Sequence, residues 1–144
     1  MYLQRRHNEK SLQPLGQIGF TDSKDEISVL IKNVGIGPMI IDKVEFQAQS
    51  QLSTDIEKHL SLNPKSYMHF VVDKEFKVTL LPQANMAVFS TNVSRMTDDQ
   101  VSLIRSELAS LRIKVSYLSI YERRFDVERG LGWFGRHERT ISKA

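Results

Sequence analysis

Residues 26–49 read EISVLIKNVGIGPMIIDKVEFQAQ, and this stretch decides the fold class of the chain. In its first third, Ile27, Val29 and Ile31 fall on one face of an extended chain, because side chains of a β-strand point to opposite faces in turn. The glycines and the proline of residues 34–38 then interrupt the pattern, since glycine permits positive φ and proline removes a backbone donor. We therefore predict a strand that ends at this break.

The residues after the break alternate in the same way. Val44, Phe46 and Ala48 are apolar and the residues between them are polar, which is typical of a half-buried strand. The order of strand, glycine-rich turn and strand predicts that residues 26–33 and 39–49 form an antiparallel pair.

Short apolar segments of the same kind recur along the chain. We expect further strands at residues 15–20, 67–72, 76–80, 86–91, 112–121 and 125–128. Turn residues separate these segments, and helical segments are too few for a sheet in which strands and helices alternate. The sequence therefore predicts a mainly β chain, an immunoglobulin-like antiparallel β-sandwich with one or two short helices in its connections.

Two capping-box patterns mark where those helices begin. Thr97-Asp98-Asp99-Gln100 precedes apolar residues spaced by three and four, so we expect a helix with one apolar stripe. Thr54-Asp55-Ile56-Glu57 predicts a shorter helix that runs to Leu60 and ends before Asn63-Pro64.

Length and composition are those of one globular domain. The chain has 144 residues, of which 40% are hydrophobic, and its net charge is +3. It contains no cysteine, which excludes disulfides and thiol catalysis. Basic residues are mostly interspersed with acidic ones, so we do not expect nucleic-acid binding. We predict a linker at residues 1–14, the sandwich at 15–129 and a Gly/Trp-containing basic tail at 130–144.

The predicted tail contains a motif that matches a nucleotide-binding pattern by letter. Gly130-Leu131-Gly132-Trp133-Phe134-Gly135 fits G-x-G-x-x-G, but only nine residues follow it. A dinucleotide site needs a crossover helix and a second parallel strand after the motif, so we expect no cofactor. Trp133 and Phe134 are instead candidate interaction residues, whose rings can pack on the domain, on a partner or at a lipid interface.

The histidines of the chain are the basis for an alternative prediction, in which the protein is an enzyme. The chain has four of them, namely His7, His59, His69 and His137. No two of them have the spacing of a helical metal motif, and no serine lies in a G-x-S-x-G sequence. We therefore expect no catalytic residue and no metal ligand. In the alternative, His59 and His69 meet in space with nearby carboxylates, in a hydrolase or a small-ligand-binding enzyme.

Three stretches together carry a family resemblance. They are Tyr2-Leu3-Gln4-Arg5-Arg6-His7-Asn8 with Pro14 following, Asn33-Val34-Gly35-Ile36-Gly37-Pro38-Met39-Ile40-Ile41, and Tyr117-Leu118-Ser119-Ile120-Tyr121 followed by Phe125. Through them the chain resembles small uncharacterised bacterial proteins with one N-terminal membrane helix, a juxtamembrane segment and an immunoglobulin-like β-sandwich. The resemblance covers most of residues 1–128. Such proteins often have glycine where this chain has Glu122, and they supply no catalytic residues.

These patterns lead to one functional hypothesis. We expect a non-enzymatic, membrane-tethered domain that binds another protein or a membrane surface, with Arg5, Arg6, Trp133 and Phe134 as candidate interaction residues. The tether would be a segment absent from this chain, because tyrosine followed by arginines is typical of residues just outside a membrane helix. The two arginines favour the cytoplasmic face, and the extracytoplasmic face is the alternative.

Overall fold

The computed structural model describes residues 12–136. Strands make up 44% of these residues, and they form two antiparallel sheets. The predicted mainly β, two-sheet antiparallel architecture is therefore confirmed. Within the described residues, no helix combines the length and the apolar content that crossing a membrane requires.

The first sheet has four strands. Its order across the sheet is β1 (Gly16–Asp22), β2 (Glu26–Asn33), β7 (Asn85–Asn92) and β5 (Met68–His69). β5 is much shorter than the strand predicted at residues 67–72, so most of one edge of β7 lies beside loops rather than beside a strand.

The second sheet has five strands. Four of them lie in the order β4 (Gln51–Ser53), β3 (Met39–Ala48), β8 (Arg112–Leu118) and β9 (Arg124–Gly130), and β6 (Val78–Leu80) also pairs with β3. The predicted alternation decides which side chains face the first sheet. Val44 and Phe46 of β3 are fully buried, as are Ile27, Val29 and Ile31 of β2.

The hairpin predicted for residues 26–33 and 39–49 is wrong. β2 pairs with β1 and β7, whereas β3 belongs to the other sheet. The chain passes from the first sheet to the second after β2. The buried Asn33 at the end of β2 stabilises this connection, because its amide donates to Gly37 O at 2.9 Å and to Leu80 O at 3.0 Å. The connection also passes so close to the N-terminal segment that a Cβ on Gly37 would clash with Leu12 O.

The helix predicted after Thr97 is confirmed. Helix α1 (Asp98–Ala109) begins with a complete capping box, in which Thr97 Oγ1 accepts from the Gln100 N–H and Gln100 Oε1 accepts from the Thr97 N–H. The second predicted helix is a single 3₁₀ turn, Ile56–His59, and Asp55 caps it instead of Thr54. Further 3₁₀ turns span Pro64–Ser66 and Gly132–Gly135.

The turn between β8 and β9 contains Glu122, at the position where the proteins that the chain resembles often have glycine. Glu122 has a φ of 64°, which lies in the left-handed region that glycine adopts without steric cost. The glycine expected there from the family resemblance would therefore suit this backbone, and glutamate occupies it under strain.

Candidate functional site: an open sheet edge and a histidine–carboxylate cluster

β9 presents an open edge of the second sheet. The Leu131 N–H donates to Leu111 O at 2.9 Å, and the Ser119 N–H donates to Arg123 O at 2.9 Å. Because antiparallel pairs alternate along a ladder, the odd-numbered residues of β9 bond to β8. The even-numbered residues, Arg124, Asp126, Glu128 and Gly130, direct their backbone groups away from it. Within residues 12–136, no hydrogen bond reaches those outward groups.

The edge at β1 is different, because side chains cover part of it. The Gly16 N–H donates to the Tyr117 hydroxyl at 3.0 Å, and Arg129 Nη1 donates to Ile18 O at 2.7 Å. Both groups face away from β2, so a further strand would have to displace Tyr117 and Arg129. Edges blocked in this manner resist pairing with other chains, whereas the outward backbone groups of β9, which lies beside β1, have no such cover among the described residues.

Charged side chains flank the open edge. Arg124 donates to both carboxylate oxygens of Asp42, at 3.2 and 2.8 Å. This hydrogen bonding raises the pKa of the Arg124 guanidinium, so the residue stays charged under all ordinary conditions. Glu128 lies 3.5 Å from Arg112. Asp126, between them along the edge, forms no salt bridge with any residue that the structure describes.

The segment after β9 packs back on the domain. Phe134 is fully buried, and its ring centroid lies 5.0 Å from that of Phe20. Arg136 Nη1 donates to the carboxylate of Asp22 at 3.2 Å, beside the two bonds that Arg105 makes to the same group. Residues 131–136 therefore contact both β1 and α1.

The predicted interaction residues are found in different environments. Phe134 lies in the core, whereas Trp133 is 36% exposed and has the guanidinium of Arg136 3.6 Å from its ring centroid. Arg5 and Arg6 lie outside the described residues, so the structure does not place them beside Trp133.

A histidine and two carboxylates meet next to β5. His69 Nε2 lies 3.4 Å from Asp55 Oδ1 and 3.7 Å from Glu57 Oε2. Asp55 is held in place by its backbone, because its N–H donates to Ser53 Oγ and its Oδ1 accepts from the Glu57 N–H. The sequence pattern explained Asp55 and Glu57 only as capping residues, and nothing in the spacing indicated that His69 would reach them.

Two buried polar groups of this region lack partners. The Tyr67 hydroxyl and both ring nitrogens of His59 make no hydrogen bond within the described residues. Burial raises the pKa of Tyr67, and the charges of Glu57, Asp55 and Glu107 raise it further. The ring of Tyr67 also contacts His69, with 5.5 Å between centroids.

An open groove lies beside the cluster. It has a volume of about 480 Å³ and is lined by Asp25, Glu26, Lys65, Ser66, Tyr67, Met68, Ser90, Thr91 and Asn92. Neither His59 nor His69 lines this groove. The enclosed pocket with two histidines, which the enzyme alternative needs, is therefore not formed there.

Two facing antiparallel sheets around an apolar core make this chain a small β-sandwich domain. No family model matches the sequence, and no curated protein matches it either. Among solved structures, the chain is similar to the archaellum periplasmic stator protein FlaG from Sulfolobus acidocaldarius. The two share 12% identity at a TM-score of 0.29, over 80% of this chain and 100% of that chain. The structural likeness is a distant one.

Proposed function

We propose that this chain is a non-enzymatic, membrane-tethered interaction domain that binds an extended segment of a partner protein along β9. The observation that carries the proposal is the contrast between the two long edges. Side chains cap the outward N–H of Gly16 and the outward carbonyl of Ile18 on β1, whereas the outward groups of β9 have no partner among residues 12–136. A partner strand would satisfy them by continuing the sheet.

The charges along β9 indicate what the partner strand carries. Side chains directly opposite each other on neighbouring strands interact, and opposite charges stabilise the pair. Arg124 and Glu128 already have partners of opposite charge within the domain, which leaves Asp126 as the exposed charge to be matched. We expect a lysine or arginine of the partner opposite Asp126.

The strand order supports an immunoglobulin-like assignment. If β1, β2, β7 and β5 correspond to strands A, B, E and D, then β3, β8 and β9 correspond to C, F and G. This division between the sheets is the one that immunoglobulin domains have. In this proposal β9 is strand G, and residues 131–136 are an addition that closes the end of the sandwich.

The proposal of a membrane tether is based on the N-terminal sequence. Tyr2, Arg5 and Arg6 have the arrangement of a segment just outside a membrane helix, so residues 1–14 serve as the juxtamembrane linker. Arg5 and Arg6 would contact anionic headgroups, with exposed Trp133 as a further contact. Protease treatment of intact cells tests the side of the membrane, since a domain on the cytoplasmic face is protected.

Site-specific photo-crosslinking in cells tests the binding edge. A photoreactive residue at Glu128 is expected to give a crosslinked partner, whereas one at the exposed Leu103 of α1 is not. Asp126→Pro should abolish the crosslink, because proline removes the outward N–H without breaking the ladder to β8. Asp126→Asn is the matched control, since it keeps the N–H and loses only the charge.

The outcomes separate backbone pairing from simple proximity. A crosslink that survives Asp126→Pro in a folded variant, or that forms equally well from Leu103, would contradict strand addition at β9. Circular dichroism of both variants verifies that the sandwich is intact.

A further inference from the structure

We infer that Asp55, Glu57 and His69 bind a divalent transition-metal ion, with Zn²⁺ as the simplest probe. This site goes beyond the interaction role proposed for β9. It lies on the connection after β4 and on β5, so the two can be tested separately.

The distances fit metal ligands better than they fit a charge-assisted hydrogen bond. Charge-assisted hydrogen bonds between a protonated imidazole and a carboxylate have lengths of about 2.7–2.9 Å. His69 Nε2 is instead 3.4 Å from Asp55 Oδ1 and 3.7 Å from Glu57 Oε2. Ligands about 2.0–2.2 Å from a tetrahedral zinc ion lie about 3.3–3.6 Å from one another, close to this spacing. All three donor atoms lie within 4.8 Å of each other.

The charges favour a cation at this point. Asp55 and Glu57 place two negative charges side by side, and within residues 12–136 their only ion-pair partner is His69. A neutral imidazole does not compensate the repulsion between the two carboxylates. A divalent ion would neutralise both carboxylates and also bind the imidazole nitrogen. Because a histidine is present, the donor set suits zinc and its neighbours better than Ca²⁺ or Mg²⁺, which prefer all-oxygen sites.

A second observation comes from Tyr67, independently of the three ligands. Its side chain is only 6% exposed and its hydroxyl has no hydrogen-bond partner among the described residues. Buried hydroxyls are almost always satisfied, so the position calls for a group that is absent from the protein itself. The ring contacts His69, so Tyr67 is a direct neighbour of the cluster, and a metal-bound water within reach of its hydroxyl would give that group a partner.

The exposure of the ligands defines the kind of site. The side chains of His69, Asp55 and Glu57 are 23%, 28% and 42% exposed, so solvent reaches the ion. Three protein ligands and a solvent-filled fourth position distinguish such a site from closed structural zinc sites, which have four.

Calorimetric titration of the chelator-treated, untagged chain with Zn²⁺ tests the inference. We expect one ion per chain, and a loss of affinity of about tenfold or more for His69→Ala and for Glu57→Gln. Glu57→Gln is the safer variant for folding, because Glu57 is the most exposed of the three ligands. The matched control is the double variant His7→Ala/His137→Ala, which removes both terminal histidines and should bind Zn²⁺ like the parent chain.

Cobalt substitution supplies a readout independent of heat. Co²⁺ bound by His69 and two carboxylates should give visible d–d absorption that Glu57→Gln weakens or shifts. The inference is overturned if the folded parent chain binds no Zn²⁺, if Glu57→Gln and His69→Ala bind it as tightly as the parent, or if the terminal-histidine variant loses it. Crosslinking at β9 is unaffected by any of these results.

Discussion

Replacing Phe134 with alanine tests whether the segment after β9 is part of the folded domain. Phe134 is fully buried and packs against Phe20, so the substitution removes a complete aromatic side chain from the core. Such Phe→Ala changes cost about 3–5 kcal/mol, because they combine lost burial with a cavity. For a domain of about 150 residues, each kcal/mol lowers Tm by about 2–4 °C, so the melting temperature should fall by roughly 6–20 °C.

Urea unfolding followed by circular dichroism measures the free energy directly. Phe76→Ala is the matched control, because Phe76 is 66% exposed and its loss should change stability by no more than about 0.5 kcal/mol. If both variants unfold at the same urea concentration, Phe134 is not anchored in the core and residues 131–136 are a free tail.

Three further predictions concern single side chains. Asp22→Ala should lower the free energy of unfolding, measured in urea, by about 1.5–3 kcal/mol, because a carboxylate that is 1% exposed accepts hydrogen bonds from Arg105 and Arg136. Glu122→Gly should raise stability by up to about 1 kcal/mol, since it removes the left-handed strain but adds unfolded-state entropy. The pKa of Tyr67 is raised above 10.0 in the folded chain. The protonated tyrosine therefore contributes fully to folding stability below pH 10, and this contribution is lost as pH rises through the folded-state pKa. Chelator-treated wild type should therefore lose more stability than Tyr67→Phe on going from about pH 9 to pH 11.

Each of these has an outcome that contradicts it. An Asp22→Ala variant as stable as the parent would mean that water replaces the carboxylate at no cost. A Glu122→Gly variant that is less stable than the parent would show that the turn makes contacts through glutamate. Equal alkaline destabilisation of the parent and of Tyr67→Phe would show that neither burial nor the neighbouring carboxylates raise the pKa of that hydroxyl.

Local patterns in the sequence were enough to predict most of the long strands, helix α1 and the class of fold. The alternation of Ile27, Val29 and Ile31 predicted both a strand and the face that it buries. The capping box at Thr97 predicted the start of α1, because such a box is satisfied within four residues. These features depend only on the backbone period and on short-range hydrogen bonds, so the local sequence is enough to predict them.

The candidate sites could not be predicted from local sequence patterns. Asp55 and Glu57 look like capping residues and His69 like a strand residue, and only the folded chain brings His69 within 4 Å of both carboxylates. Phe134 was placed in a tail, but it is buried because β9 returns the chain to β1 and α1. The open edge of β9 is equally invisible in the sequence, since its exposure depends on which strands lie beside it.

The sequence by itself determined which residues of β2 face the core, where α1 begins, and that no cysteine chemistry is available. Only the tertiary structure decided that β2 and β3 lie in different sheets, that β9 is an open edge, and that His69 meets two carboxylates. The physical reason is that alternation specifies the buried face of a strand but not its neighbour. Neighbours are chosen by long-range packing and by contacts such as those of the Asn33 amide, which join residues far apart in the chain.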